Sequence, residues 1–295
     1  MTSPSSARTA SSEVRLANGM RISRMGFGSM RLAGPEAWGP PADRVNAHAV
    51  LRRAVERGVE FIDTADAYGP GDNEVLIREA LHPYSARLKI ATKVGLIRSR
   101  ASATAPIETR VDGSAAHIRQ AVEGSLRRLG LDCIAICQLH RVDPDIAIED
   151  TVGVLDRLRT EGKISHIGLS EVSVPEIERA RAVTDILTVQ NRYSVLDRRH
   201  EATREHCERN RIGFIPFFPL GGGRLLDVPG LRAIAATHDA SPAQVALAWL
   251  LNHSPGTILI PGTSNLKHLE QNIAAAGLDL RPADIAALDS ISDRR

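Results

Sequence analysis

A chain of 295 residues with 43% hydrophobic composition can bury a large core, and α/β barrels of this size are usually single domains. The formal net charge of +2, with basic and acidic residues interspersed, provides no electrostatic footprint for nucleic acid or a membrane surface. No apolar run approaches the ~20 residues that span a bilayer, and the odd number of cysteines favours a reducing cytoplasm over a disulfide framework.

The first twelve residues are rich in Ser, Thr and Ala and lack the apolar middle region of a secretory signal. We expect a disordered tail over residues 1–12 and a single domain over residues 13–295. Asn18 and Gly19 lie between short alternating flanks and predict a β-hairpin within residues 14–25, because both positions tolerate positive φ. Residues 25–29 are then typical of a first barrel strand.

From Arg44 onward, helical periodicity alternates with short apolar runs, and Gly58 ends the first helix in the position of a C-terminal cap. Eight strands, each followed by a helix, indicate a (β/α)₈ TIM barrel, with the hairpin outside it and an extra C-terminal helix. The later strands are predicted over residues 61–63, 88–93, 133–140, 164–170, 186–190, 213–216 and 257–260. The later helices are predicted over residues 72–81, 115–129, 146–159, 175–183, 200–210, 242–252, 266–276 and 282–291.

Two connections, over residues 94–113 and 31–43, contain candidate substrate contacts. Residues 94–113 form the longest stretch without a clear pattern, and loops of that length are usually lids or mobile segments. A solvated charged loop is the default interpretation, but Arg98, Arg100 and Arg110 would also suit a substrate phosphate or carboxylate. The proline-rich loop over residues 31–43 brings Trp38 to the mouth, either as a substrate contact or as packing against the barrel.

Four reactive side chains follow three successive strands. Asp63 ends one strand, Tyr68 follows it before Gly-Pro-Gly, Lys93 ends the next strand, and His140 ends the third. Taken singly, each is more often structural or solvated than catalytic. Because barrel strands converge at their carboxyl ends, where loops carry the chemistry, their joint occurrence predicts an active site.

The sequence resembles the aldo-keto reductase superfamily from about Val14 to the end. The motifs that carry the resemblance are Gly-Val-Glu-Phe-Ile-Asp-Thr-Ala-Asp-Ala-Tyr at 58–68, Ala-Thr-Lys-Val-Gly at 91–95, Gln-Leu-His at 138–140, Ile-Gly-Leu-Ser at 167–170, and Ile-Pro-Gly-Thr-Ser at 260–264. The resemblance implies carbonyl reduction with a nicotinamide cofactor. It extends to bacterial reductases that include pyridoxal reductase, so pyridoxal is the first expected substrate and a sugar or secondary-metabolite carbonyl is the alternative.

Carbonyl reduction needs a proton for the oxygen, and the resemblance assigns that role to Tyr68. An adjacent Lys93 ammonium would lower the tyrosine pKa from near 10, and Asp63 would keep Lys93 charged and in place. His140 would donate a hydrogen bond to the substrate oxygen. No metal is expected, because a hydrolytic zinc site needs several converging His, Asp or Glu ligands.

No Gly-x-Gly-x-x-Gly motif joins a strand to a helix, so a Rossmann domain is not indicated. Residues 261–265 instead open a helix after the last strand, where backbone N–H groups bind phosphate, although Thr263, Ser264 and Asn265 would also serve only as caps. The cofactor contacts that the resemblance implies are Gly28, Ser29, Met30, Asp63, Ser170, Glu171, Gln190, Phe217, Leu220, Gly221, Ile260, Pro261, Gly262, Thr263, Ser264, His268, Gln271 and Asn272. The expected substrate contacts are Tyr68, His140 and Trp38.

The sequence departs from the family pattern at three cofactor positions. His268 replaces an arginine that contacts the 2′-phosphate in many relatives, and Gly262 replaces a lysine found in some, so NADPH is expected with NADH as an alternative. Glu171 replaces a frequent asparagine, but its carboxylate would still accept a hydrogen bond from the nicotinamide amide. Relatives of this fold also serve as cofactor-sensing subunits of ion channels. The complete set of reactive residues favours an enzyme that acts on small carbonyl compounds. We also expect the protein to be cytoplasmic and monomeric or weakly oligomeric.

Overall fold

A computed structural model describes residues 13–291, so the tail expected over residues 1–12 lies outside the described residues, as do residues 292–295. The strands of the described part are, in chain order, β1 (Glu13–Arg15), β2 (Arg21–Ser23), β3 (Phe27–Gly28), β4 (Phe61–Asp63), β5 (Lys89–Val94), β6 (Leu96–Ser99), β7 (Glu108–Val111), β8 (Ile134–Leu139), β9 (Ile164–Ser170), β10 (Ile186–Arg192) and β11 (Gly213–Phe217). Its α-helices are α1 (Arg44–Glu56), α2 (Asp72–Leu81), α3 (Ala115–Leu129), α4 (Ile148–Thr160), α5 (Val174–Arg181), α6 (Glu201–Arg209), α7 (Pro229–Thr237), α8 (Pro242–His253), α9 (Leu266–Ala274) and α10 (Pro282–Asp289).

Seven parallel strands form one curled sheet in the order β11, β10, β9, β8, β5, β4, β3. Residues 257–260 close the sheet, since Leu259 bridges Met25 beside β3 and Thr257 bridges Phe214 in β11, both in parallel. The predicted (β/α)₈ barrel is therefore confirmed. Its eighth strand forms isolated bridges to both neighbours in place of a continuous ladder.

Local sequence signals explain where the helices begin and end. The Asp43 side chain accepts a hydrogen bond from the Asn46 amide at 2.9 Å and caps α1. Ser114 caps α3 in the same way, and Gly130 ends that helix at a φ of 66°, which glycine adopts at little steric cost. α1 buries an apolar stripe that includes Val50 and Leu51, in one cluster with Phe27 and Ile62 of the sheet.

The N-terminal hairpin fills the end of the barrel at which the strands begin. β1 and β2 pair antiparallel around the Asn18-Gly19 turn, with Gly19 at a φ of 84°. Their buried side chains pack in one cluster with residues that point into the barrel from several strands. That cluster contains Val14, Leu16, Ile22, Phe61, Ala91, Ile136, Leu187, Ile215, Ile258 and Ile260. The apolar plug at this end leaves the opposite end, where the strands finish, for polar side chains.

Two segments contain regular structure that the sequence does not reveal. Within residues 94–113, β6 and β7 pair antiparallel from Leu96 with Val111 to Ser99 with Glu108. None of their residues is buried, so the apolar alternation that identifies a half-buried strand is weak. Between β11 and α8, a 3₁₀ segment (Gly221–Asp227) precedes α7. Its three leading glycines all have positive φ and hide the helical pattern.

Candidate active site

A buried lysine joins the reactive side chains at the carboxyl ends of the strands. Lys93 is 0% exposed, and its Nζ donates to Asp63 Oδ1 at 2.5 Å and to the Thr64 carbonyl at 2.9 Å. The same Nζ lies 3.4 Å from the hydroxyl of Tyr68, on the loop after β4. The structure therefore brings Asp63, Tyr68 and Lys93 into the contact that their positions predict.

Two glutamine amides hold the second oxygen of the aspartate. Gln138 Nε2 donates to Asp63 Oδ2 at 3.1 Å, and Gln190 Nε2 donates to the same oxygen at 2.8 Å. Gln138 has no assigned role in the sequence analysis, and Gln190 is predicted there as a cofactor contact. A signal was present for Gln138, which is the one amide in an otherwise apolar strand, whereas Gln190 is followed by Asn191 and does not stand out in this way. Asp63 is thus fully engaged inside the protein.

Charge and burial oppose each other at the lysine. Burial alone would lower the pKa of Lys93, but the charge of Asp63 and the adjoining Tyr68 raise that pKa above its ordinary value. Lys93 therefore remains an ammonium ion at neutral pH. A charge held permanently beside a tyrosine hydroxyl is ready to stabilise a phenolate.

The net direction expected for the tyrosine requires correction. Burial raises the pKa of Tyr68 above its ordinary value of 10, and the charge of Lys93 lowers it without overcoming burial. The sequence predicts the opposite balance, because the depth of the hydroxyl depends on loops whose packing it does not specify. Tyr68 consequently keeps its proton at neutral pH, which suits a general acid.

His140 lies edge-on to the tyrosine. The two ring centroids are 5.9 Å apart at an interplanar angle of 84°. Burial lowers the pKa of His140 well below 6.5, and the nearby charges of Lys93, Arg141 and Arg98 act in the same direction. The imidazole is therefore neutral. Its Nδ1 is buried without a hydrogen-bond partner in the described part of the chain.

A cleft of about 970 Å³ opens above these residues. It runs from Tyr68 and His140, past the loop after β11, to the segment that precedes α9. The predicted cofactor contacts that line it are Gly28, Met30, Asp63, Ser170, Gln190, Phe217, Leu220, Ile260, Pro261, Gly262 and Ser264. This size accommodates a large part of a dinucleotide.

Other predicted contacts have partners elsewhere in the fold. Ser29 is buried and donates to the Asp63 carbonyl at 2.8 Å. The Glu171 carboxylate accepts from the Arg192 amide at 2.8 Å, which aligns it with β10 and away from the cleft. Thr263 accepts from the Asn265 amide at 3.0 Å. The remaining predicted contacts that do not line the cleft are Gly221, His268, Gln271 and Asn272.

Trp38 also lies outside the cleft lining. The loop that carries it is held by the hairpin formed by β6 and β7. Arg98 donates to the carbonyls of Glu36 and Ala37 at 2.7 and 2.8 Å, and its guanidinium stacks on the Trp38 ring at 6.0 Å. Glu36 and Ala37 both have φ near 55°, which is uncommon outside glycine. The packing interpretation of Trp38 is therefore favoured in this structure.

The far end of the cleft has features that fit a phosphate. A Cβ on Gly262 would lie 2.4 Å from the Gly28 carbonyl oxygen, so this close approach requires glycine. Asn265 caps α9 by accepting from the Lys267 and His268 amides. Within residues 13–291, no hydrogen bond takes up the N–H groups of Gly262 and Ser264. The segment thus caps the helix and still presents free N–H groups beside it.

One cation near this end was missed by the sequence analysis. Arg31 lines the cleft with an exposed side chain, and its Cγ lies 3.6 Å from the position that a Cβ of Gly262 would occupy. Its guanidinium forms no ion pair within 4.0 Å in the described part. Arg31 can therefore supply positive charge where Gly262 and His268 depart from the family pattern.

Among residues 13–291, no group of three or more His, Cys, Asp or Glu side chains is arranged to hold a metal ion. In the same range, no helix has the length and apolar character needed to cross a membrane. Cys133, Cys137 and Cys207 are free thiols.

Comparison with known proteins gives a consistent result. Residues 24–293 match the model of the Aldo/keto reductase family. The chain is 43% identical over 272 residues to an uncharacterised oxidoreductase of Schizosaccharomyces pombe, covering 92% of this chain and 87% of that protein. It is 42% identical over 277 residues to pyridoxine 4-dehydrogenase of Escherichia coli, covering 92% and 95%. A crystal structure of an aldo/keto reductase from Klebsiella pneumoniae in complex with NADP and acetate superposes with a TM-score of 0.80 at 25% identity, covering 96% and 97%.

Proposed function

Because this chain belongs to the aldo/keto reductase family and is an NAD(P)H-dependent oxidoreductase acting on carbonyl groups, we propose that it reduces the aldehyde of pyridoxal, with Tyr68 as proton donor and NADPH as cofactor. The observation that carries the proposal is the fully buried Lys93 ammonium between Asp63 and Tyr68. The likeness to the Escherichia coli pyridoxine 4-dehydrogenase over most of both chains supports the choice of pyridoxal.

The residues around the cleft have separate roles in the proposed reduction. Ser170 and Phe217 would hold the nicotinamide of a reduced cofactor and Gly262 would lie against its phosphates, and the cofactor would supply the hydride. Tyr68 donates its proton to the carbonyl oxygen as negative charge develops there, and Lys93 stabilises the phenolate that remains. Asp63 keeps Lys93 charged, because its carboxylate is adjacent to the ammonium. The second oxygen of Asp63 is held by the amides of Gln138 and Gln190, which fixes the carboxylate in place.

His140 orients the carbonyl in this scheme. A neutral imidazole can donate one hydrogen bond to the same oxygen that Tyr68 protonates, and its lowered pKa keeps it in that form at neutral pH. Its position against the tyrosine ring places both donors on one side of the cleft. The carbonyl carbon then faces the part of the cleft lined by Ser170 and Phe217.

The preference for NADPH rests on positive charge at the far end of the cleft. Arg31 supplies a cation beside Gly262, and N–H groups of Gly262 and Ser264 remain available to a phosphate oxygen. The Klebsiella pneumoniae relative with bound NADP supports the same choice.

The direct test follows the loss of NADPH absorbance with pyridoxal and a panel of other aldehydes, for the native chain and for Tyr68→Phe. We expect turnover in the native chain and at least a 100-fold lower kcat in the variant, with unchanged cofactor affinity. Tight cofactor binding without reduction of any carbonyl would contradict the proposal and favour a cofactor-sensing regulatory protein. Equal turnover by Tyr68→Phe would remove Tyr68 from the proton-donor role.

A further inference from the structure

One guanidinium at the substrate end of the cleft has no acidic partner. Arg141 follows His140 directly and lines the cleft with a half-buried side chain. Its Nη1 donates to the His140 carbonyl at 2.7 Å and to Ser170 Oγ at 3.3 Å. Among residues 13–291, no carboxylate pairs with it within 4.0 Å, and no hydrogen bond takes up Nε or Nη2. A guanidinium has five N–H donors, so part of its fork remains available.

The three arginines that the sequence associates with an anionic substrate are already engaged. Arg98 donates to the carbonyls of Glu36 and Ala37, and Arg100 donates to the Ala105 carbonyl at 2.5 Å. Arg110 pairs with Asp112 at 3.2 Å on the exposed hairpin. These three arginines are therefore poor candidates for binding an anionic group of the substrate, whereas Arg141 is available for it.

Arg141 lies next to the chemistry. Its Cζ lies 5.9 Å from the centroid of the Phe217 ring, at the outer limit of a cation–π contact. Its charge acts on the pKa of both Tyr68 and His140, lowering each, as expected for a cation facing the same space. A substrate whose carbonyl meets those two donors would place its neighbouring substituents within reach of Arg141.

The acidic groups around the cleft do not neutralise this arginine. Asp63 is paired with Lys93, and the Asp43 carboxylate caps α1. Glu36 is exposed on the loop over residues 31–43 and forms no ion pair with Arg141 within 4.0 Å. A half-buried cation without a partner is poorly solvated, so an oxyanion from a ligand would gain a strong charge-assisted hydrogen bond there.

We propose that Arg141 is a specificity-determining residue that binds an anionic oxygen, carboxylate or phenolate, on the carbonyl substrate. The phenolic oxygen beside the aldehyde of pyridoxal is one group of this kind. The inference rests on the proposed carbonyl reduction at Tyr68, and it predicts that an aldehyde with such an oxygen is preferred over an uncharged aldehyde of the same size.

The test compares two aldehydes of similar shape, 4-carboxybenzaldehyde and 4-methylbenzaldehyde, with the holoenzyme. In the native chain we expect a higher kcat/KM for the carboxylate. In Arg141→Gln the ratio of the two kcat/KM values should fall about 10- to 100-fold, the range of a hydrogen bond to a charged group. Arg141→Lys should retain part of the ratio. Arg110→Gln, a charge loss on the lid outside the cleft lining, should leave the ratio unchanged.

The ratio of the two kcat/KM values distinguishes recognition of the anion by Arg141 from a purely structural role. If Arg141→Gln lowers kcat/KM equally for both aldehydes, Arg141 only positions His140 and Ser170 and the inference is wrong. A native chain with no preference for either the carboxylate or the phenolate over its uncharged counterpart would also overturn it. A phenolate source is tested by 2-hydroxybenzaldehyde against 2-methylbenzaldehyde at a pH above the phenol pKa.

Binding without turnover keeps this inference separate from the proposed function. Benzoate binding to the native protein and to Arg141→Gln can be measured by calorimetry, and we expect at least 10-fold weaker binding in the variant. Absence of all carbonyl reduction together with Arg141-dependent benzoate binding would contradict the proposed function and support the anion site. Equal benzoate affinity in both proteins would contradict the anion site.

Discussion

The Lys93 ammonium donates to the Asp63 carboxylate at 2.5 Å, and both side chains are almost completely shielded from solvent. Two opposite charges removed from water stabilise the fold only while both are present and hydrogen-bonded. Here the second aspartate oxygen is held by Gln138 and Gln190, so all of the pair's strong hydrogen-bonding capacity is used internally. The proposed catalytic charge is therefore also a structural element.

Removal of one member of this pair should be costly. Lys93→Met leaves a buried carboxylate without its partner, and we expect a loss of about 3–5 kcal/mol in the free energy of unfolding together with loss of turnover. Lys163→Met is the matched control, because Lys163 forms partly exposed ion pairs and should lose less than ~1 kcal/mol. Urea denaturation measures both. A Lys93→Met protein as stable as the control would show that the buried pair contributes little.

The raised pKa of Asp66 should make the free energy of unfolding depend on pH. Burial raises the pKa of Asp66 to about 8, and its Oδ1 lacks a hydrogen-bond partner in the described part of the chain. As the pH rises from about 4 to 8, the unfolded chain releases this proton while the folded chain keeps it, so the contribution of Asp66 to stability falls.

Asp66→Asn should therefore be more stable than the native chain at pH 8 and closer to it at pH 4. The difference should not exceed about 6 kcal/mol, since the pKa is raised from 3.8 to about 8 and each unit of pKa corresponds to about 1.4 kcal/mol. Thermal unfolding across this range measures it, with the exposed Asp145→Asn as control. A constant difference at all pH values would contradict the raised pKa.

Arg98 should control the mobility of the tryptophan loop. Arg98→Met removes two hydrogen bonds to the carbonyls of Glu36 and Ala37, whose positive φ values need support from their surroundings. The chain has two tryptophans, and Trp249 is 0% exposed, so acrylamide quenching reports mainly on Trp38. We expect stronger quenching and a higher KM in Arg98→Met. Arg100→Met, on the same hairpin, should leave both the quenching and the KM unchanged. Equal quenching in the two variants would show that the hydrogen bonds of Arg98 do not restrain the loop that carries Trp38.

Arg31 should set the preference for NADPH. If its guanidinium meets the 2′-phosphate, Arg31→Met will weaken NADPH binding about 10-fold and change NADH binding little. Lys267→Met removes an exposed charge from the first turn of α9, outside the cleft lining, and is the control. Cofactor fluorescence titration gives both dissociation constants. Equal weakening for the two cofactors would place Arg31 on a phosphate that they share.

The sequence identifies the four reactive residues because strand ends in a barrel are ordered by the chain itself. Asp63, Lys93 and His140 each follow a short apolar run, and parallel strands bring such ends to one mouth. The barrel follows from the same alternation of strands and helices. The confirmed barrel thus depends on local pattern, and the catalytic roles of the four residues stay predictions.

What the sequence misses depends on packing between distant segments. The pKa direction of Tyr68 follows from burial by surrounding loops, and the contact of Gln190 with Asp63 joins residues 127 positions apart. Arg141 is one of many arginines in the sequence, and what distinguishes it is its place beside His140 and Ser170 at the substrate end of the cleft without an acidic partner. Periodicity contains no information about such pairings.

The closure of the barrel has a consequence for the order of events during synthesis. The proposed acid, its lysine and the histidine all lie within the first 140 residues, whereas Phe217 and the Gly262 segment come from the last third of the chain. The seam that unites them, Met25 with Leu259, forms only after nearly all of the polypeptide has left the ribosome. A nascent chain therefore holds its reactive residues well before it has a groove for the dinucleotide, and cofactor binding becomes a direct report that the ring of strands has closed.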